Sequence, residues 1–230
     1  MLENLTKELK KLYSKERAEN SMKYFKTGKG EYGQGDIFLG LSMGEQREIA
    51  KRYGELSLSN LQKLLDSSVH EHRMIAGIIL TYKFKENPEE VFNFYLKNAK
   101  RFNNWDLVDV TCPRIVGFFL INKNKSILYT LANSKNLWEK RISIISTFPF
   151  IKENQFADTL KISEVLLRDK HDLIHKAIGW MLREVGKKDV EVLKDFLKTN
   201  YKKLPRTTLR YAIERFPEKE RKMFLKGKFN

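Results

Sequence analysis

The sequence predicts an all-α fold, and three observations carry that expectation. Helix-forming Leu, Lys, Glu and Arg dominate the 230 residues, with only five prolines to interrupt them. Glycines gather near residues 28–44, so turn punctuation is scarce elsewhere. Helix-start signals also stand ahead of amphipathic runs along the whole chain. A 41% hydrophobic content, with fifteen Phe, nine Tyr and three Trp, fills a real core and argues against disorder.

Taken in order, Ser42-Met43-Gly44-Glu45 has the spacing of a capping box, and so does Ser68-Val69-His70-Glu71. Asn87-Pro88-Glu89-Glu90 supplies an N-cap, a proline at the first helical position and acids for the first turn. Asn104 is the next N-cap, ahead of Trp105. Cys112, followed by Pro113, reads as an early-helix packing position. Gly186 follows a helical run ending near Val185 and suits a C-terminal cap. The run from Lys219 to Lys228 reads as a solvated basic tail. About eleven or twelve helices result, joined by short polar turns, with one longer irregular stretch from Thr27 to Gly35.

Some of these helices repeat. Arg73-Met74-Ile75-Ala76, Arg141-Ile142-Ser143-Ile144, Lys176-Ala177-Ile178-Gly179 and Arg210-Tyr211-Ala212-Ile213 each join a cation to a short apolar or small-residue run. The first two lie 68 residues apart, twice 34, and the next gaps are 35 and 34; a missing member belongs near residues 105–109. Two helices of about a dozen residues fill such a unit. The expected architecture is a right-handed α-solenoid of HEAT-like helical hairpin repeats, a single domain over residues 1–230. Cations recurring at one repeat position would then form a stripe along the concave face. Chance similarity among amphipathic helices is the competing explanation.

Charge narrows the function. Forty-four Lys and Arg against 29 Asp and Glu leave +15, an excess that favours a polyanionic partner such as nucleic acid. An anionic membrane surface competes, but apolar runs such as Ile115 to Ile121 are far short of the roughly 20 residues a span needs. The N-terminus lacks a basic-then-apolar signal peptide. The single cysteine, Cys112, excludes an internal disulfide and any multi-cysteine zinc site. The expected location is the cytoplasm.

The strongest local feature is Asn103-Asn104-Trp105-Asp106-Leu107-Val108-Asp109. With Asn104 as N-cap, Trp105 and Asp109 share one helical face, where an indole and a carboxylate together could bind a cation. The plainer alternative is a packed tryptophan, with Asp106 and Asp109 complementing the helix dipole. Arg141 follows Trp138 by three positions, and Arg183 follows Trp180 by three. Taken singly, Trp180 reads as core, and Arg141 and Arg183 as solvated cations. The register places Asp109 two positions beyond the expected cation, so the repeat alone does not bring these residues together. Gly28-Lys29-Gly30-Glu31-Tyr32-Gly33 matches G-x-G-x-x-G literally, but no strand pattern precedes it and no βαβ unit surrounds it. His171 and His175 have i, i+4 spacing without a third ligand or an acidic frame, so no metal is expected.

At these residues the chain resembles the DNA alkylation repair family of HEAT-like, AlkD-like glycosylases. The stretches that carry the resemblance are Asn104 to Asp109, Leu137-Trp138-Glu139-Lys140-Arg141 and Lys176 to Glu184, in matching order and spacing. Phe38-Leu39-Gly40-Leu41 also looks like the family's first-repeat turn, whereas the Gly-rich stretch from Thr27 to Gly35 is longer than the family pattern. The resemblance implies hydrolytic removal of N3- and N7-alkylated purines from double-stranded DNA by a monomer without cofactor or metal. By matched position it implies Asp109 as the catalytic carboxylate and Trp105 and Trp180 as residues flanking the lesion. Arg141 would hold the DNA backbone, with Arg183 and Tyr24 as further contacts. A non-catalytic DNA- or RNA-binding scaffold is the alternative, and a protein-interaction solenoid a third reading.

Overall fold

A computed structural model describes residues Met1–Phe229, and apart from one isolated bridge the regular structure of these residues is helical. The chain divides into two compact units, Met1–Thr111 and the chain from Cys112 onward.

The first unit holds α1 (Leu2–Lys11), α2 (Lys15–Tyr24), α3 (Met43–Arg52), α4 (Leu58–Leu65), α5 (His70–Lys83), α6 (Pro88–Lys97) and the body of α7 (Trp105–Cys112). Helix α5 is buried on nearly every side, from His70 to Thr81, and α3, α4 and α6 pack against it. A helix buried on all sides belongs at the centre of a layer rather than on its surface. Gly77 on α5 faces Thr111 and Phe102, where a Cβ would meet the Thr111 methyl at 2.7 Å.

The Ser42 capping box forms as expected: the Ser42 hydroxyl accepts the Glu45 N–H, and Glu45 accepts the Ser42 N–H. The second expected box does not form. Val69, not Ser68, is the N-cap of α5, because a parallel bridge between Ile37 and Val69 occupies this backbone. The Ile37 N–H donates to Ser68 O (3.0 Å), and the His70 N–H donates to Ile37 O (2.8 Å). Glu71 is instead buried under the 39–41 turn, its carboxylate accepting the N–H groups of Leu39 (3.0 Å), Gly40 (2.8 Å) and Leu41 (3.3 Å). The turn needs Gly40, which has φ +83° and whose Cβ would meet Ala18 N at 2.7 Å.

The second unit continues with a π turn (Pro113–Gly117), α8 (Phe118–Leu120), α9 (Ser126–Ala132), α10 (Leu137–Ile145), α11 (Phe148–Lys152) and α12 (Ala157–Leu166). It ends with α13 (Asp172–Lys188), α14 (Val190–Asn200), α15 (Arg206–Ala212) and α16 (Glu218–Lys226). Cys112 closes α7 rather than opening a helix, and its buried thiol lies 3.9 Å from Ile142 O. The longest helix, α13, is the hub against which α10, α11, α12, α14 and α15 all pack. Gly186 is not a C-cap, since α13 continues to Lys188. Its hydrogen leaves room for Leu193 of the following helix, where a Cβ would clash. Gly179 does the same for α15, where a Cβ would lie 2.8 Å from Thr208 O. The Lys219–Lys228 run is no solvated tail either: most of it is α16, anchored through buried Phe224. No helix among the described residues is long and apolar enough to cross a membrane.

The four cations of the sequence register also differ from one another. Arg73 and Arg141 are buried, Lys176 is half-buried and Arg210 is exposed. The first two spend their donors inside the fold, Arg73 on Asp36 and Ser67 O, and Arg141 on Leu173 O.

Candidate active site

In the first unit the site is built from the start of α7. Asn104 is fully buried, its Oδ1 accepts the Trp105 N–H (2.8 Å), and its carbonyl accepts the Val108 N–H (3.2 Å). Helix then runs from Trp105, which sets Trp105 and Asp109 one turn apart on the same face, both half-buried. The indole packs into an aromatic cluster. Phe25 stacks on it at 5.4 Å between ring centroids and 23° between planes, and Tyr24 meets it edge-on at 6.0 Å. Tyr24 is the last residue of α2 and is 65% exposed. The structure therefore brings together three of the expected site residues: Tyr24, Trp105 and Asp109.

Beneath this wall lies a second layer that the sequence did not disclose. Phe25 also stacks on Phe38 (5.1 Å), and both rings lie over His70, at 5.0 Å and 4.5 Å. The His70 ring is buried between two carboxylates. Its Nε2 is 2.8 Å from Asp106 Oδ2, and its Nδ1 is 3.4 Å from Asp36 Oδ2. Asp36 in turn pairs with Arg73 at 2.7 Å. Burial works to lower the His70 pKa, but the Asp106 charge and hydrogen bond, with help from Asp36, outweigh it against Arg73 and raise it to about 9. Asp36 is held below the usual carboxylate range: burial opposes this, while hydrogen bonds and the charges of His70 and Arg73 prevail. His72, two residues on, shows the opposite shift, to about 4, through burial and the nearby charges of Arg73 and Lys10. Only spacing could have revealed this layer. Asp36 to His70 is 34 residues and His70 to Asp106 is 36, close to the 34–35-residue spacing of the cations in the sequence.

In the second unit Trp180 is half-buried on α13, its Nε1–H donating to Glu184 Oε1 at 3.2 Å, with the Phe148 ring 6.1 Å away. Arg183 pairs with Glu214 and lies 3.7 Å from Glu184. Arg141 on α10 is only 5% exposed, and its Nη1–H donates to Leu173 O at 2.6 Å. It is therefore not the solvated cation that its isolated reading suggested. His171 and His175 serve local structure: His171 Nδ1 accepts the Leu173 N–H (3.1 Å), and His175 Nε2 lies 2.6 Å from Asp169 O. The glycine loop closes on itself, with Gly28 N–H donating to Glu31 (2.8 Å) and Gly30 N–H to Gln34 (2.7 Å). Among the described residues, no group of three or more His, Cys, Asp or Glu is placed to hold a metal ion.

A strongly basic, all-helical chain that sets a carboxylate one turn from an aromatic wall has the attributes of a nucleic-acid-processing protein. Comparison with known proteins makes the class specific. The family described as DNA alkylation repair enzyme matches residues 5–216, and the chain belongs to that family. Its fold is similar to that of a predicted DNA alkylation repair enzyme from Enterococcus faecalis, with a TM-score of 0.72 and 16% sequence identity. That likeness covers 90% of this chain and 97% of the other. No curated protein matches the sequence. A role in DNA repair follows from the family.

Proposed function

We propose that the protein is a monofunctional DNA glycosylase that hydrolyses the N-glycosidic bond of cationic N3- and N7-alkylated purines in duplex DNA. The observation that carries this reading is the half-buried carboxylate of Asp109 one helical turn from the Trp105 indole. An alkylated purine already bears the positive charge that a leaving group otherwise acquires by protonation. The bond from C1′ to the base nitrogen breaks with its electron pair going to the base, and the sugar becomes oxocarbenium-like. Asp109 stabilises that charge and orients a water, whose oxygen bonds to C1′ while its proton passes to the carboxylate or solvent. The products are a free base and an abasic site. Trp105 and Tyr24 offer aromatic faces and edges to the cationic nucleotide.

For the second unit, the family resemblance assigns Trp180, Arg141 and Arg183 to DNA contacts, each open to its own substitution. Arg141 and Arg183 would have to exchange internal partners for phosphate, so Arg141→Ala should flatten the salt dependence of binding by about one phosphate contact. An unchanged slope would mean that Arg141 touches no phosphate. Successive packed helices within each unit support reading them as HEAT-like hairpins of an α-solenoid, with residues 1–230 working as one module. The proposed form is a cytoplasmic monomer that needs neither metal nor organic cofactor.

The test is chromatographic detection of free methylpurines from methylated duplex DNA incubated with the native chain. Release of 3-methyladenine or 7-methylguanine, with abasic sites left behind, supports the reading. Salt-sensitive duplex binding without release would instead indicate a non-catalytic nucleic-acid binder.

A further inference from the structure

The buried cluster beneath Trp105 contains a charged group that the proposed chemistry does not use. His70 is the first residue of α5, and both ring nitrogens face carboxylates from other parts of the unit: Asp36 from the segment after the glycine loop and Asp106 from α7. Arg73, one turn further along α5, holds the outer oxygen of Asp36 at 2.7 Å. Asp106 is doubly engaged, since its Oδ1 accepts the Leu107 N–H at 2.8 Å while its Oδ2 faces His70. The same imidazole is the floor of the ring stack. Phe38 lies on it at 4.5 Å and 19°, Phe25 at 5.0 Å and 33°, and Trp105 lies on Phe25. Two independent connections therefore run from His70 to the first turn of α7, one ionic through Asp106 and one aromatic through Phe25.

We propose that His70 is a positioning residue, a buried imidazolium that fixes the first turn of α7 and so aims Trp105 and Asp109. This rests on the glycosylase reading above, because it supposes that Asp109 must be aimed at something. The charged ring suits the task better than a neutral one. Two carboxylates closing on a neutral imidazole can share only one N–H donor, leaving one acid buried against a lone pair. A phenyl ring over an imidazolium gains a cation–π attraction that it lacks over imidazole. Every charged group facing the ring is accounted for: Asp36 and Asp106 favour the proton, and Arg73 opposes it. The imidazolium therefore persists through neutral pH and is lost near pH 9.

The experiment compares the native chain with His70→Gln, which keeps a hydrogen-bonding side chain without charge, and with Asp36→Asn, which removes the charge of one of the two carboxylates facing the ring. Methylpurine release is followed under saturating DNA from pH 6.5 to 10, alongside duplex affinity and a histidine ring NMR titration of the native chain. The native release rate should fall as pH passes about 9, in step with one histidine signal that His70→Gln removes. His70→Gln should release base about tenfold more slowly at neutral pH, with duplex affinity nearly unchanged and that alkaline fall absent. Asp36→Asn should shift the fall to lower pH. A His70→Gln chain that is folded and keeps both the native rate and the native profile would overturn the proposal, as would a histidine that titrates below 7. If the native chain releases no base while the histidine titrates near 9, the glycosylase reading fails, and aiming Asp109 at a glycosidic bond fails with it. If His70→Gln does not fold, Asp36→Asn with an unshifted profile overturns it equally.

Discussion

Trp105 and Trp180 are the same residue type held in two different ways. Trp105 rests on a stack of rings whose floor is a buried charge, and its helix is tied to α5 through Asp106. Trp180 is steadied by its own helix, through Glu184 one turn on, with Phe148 as a looser neighbour. Its helix is fixed by backbone proximity, with Gly179 and Gly186 letting Thr208, Tyr211 and Leu193 approach closely. The first arrangement depends on protonation and the second on side-chain volume. They should therefore fail under different insults.

The largest effect expected is on the second arrangement. Gly179→Leu puts a side chain where Thr208 O would lie 2.8 Å from its Cβ, and should cost about 3 kcal/mol or more of stability in urea melts. A native midpoint would mean that α13 and α15 can separate freely.

On the first arrangement, pH should act instead. The folded pKa of His70 is raised from 6.5 to about 9, so its stabilisation is complete below about pH 6.5 and is lost as pH rises to 9. The loss amounts to about 3 kcal/mol, and denaturant melts in the native chain should show it, while His70→Gln melts should not. His72, lowered to about 4, acts oppositely, removing stability as pH falls from 6.5 toward 4. A flat alkaline limb in the native chain would mean that His70 carries no charge to lose.

Base release should separate the two indoles more modestly. Trp105→Ala removes an aromatic wall and the lid of the stack, and should slow release about thirtyfold; Trp180→Ala, losing one aromatic contact, should slow it only several-fold. Equal losses would erase the distinction. The smallest effect is Glu184→Ala, which frees the Trp180 N–H and should cost about 1 kcal/mol or less in thermal melts.

Much of this fold was legible in the chain, and the reasons are local. The Ser42 box, the Asn87-Pro88 helix start and the start at Trp105 depend on neighbouring residues, and each formed where expected. The failures came where tertiary partners outbid local ones. Glu71 looked like a capping acid, but three backbone amides of the 39–41 turn claimed it. Gly186 looked like a helix end, but it is a place where two helices touch. At the site, Trp105 and Asp109 could be paired by helical spacing alone. Tyr24 came only from family resemblance, and His70, Asp36 and Phe25 not at all, since nothing near them in sequence announces a stack assembled from four separate segments.

Everything proposed for this site turns on Asp109 as the carboxylate for base removal. The most direct test is single-turnover release of 7-methylguanine from methylated duplex DNA by the native chain and by Asp109→Asn, at matched duplex occupancy. The native chain should release the base, and Asp109→Asn should lose at least about a hundredfold, with duplex affinity nearly unchanged. Native-like release by Asp109→Asn would contradict that role.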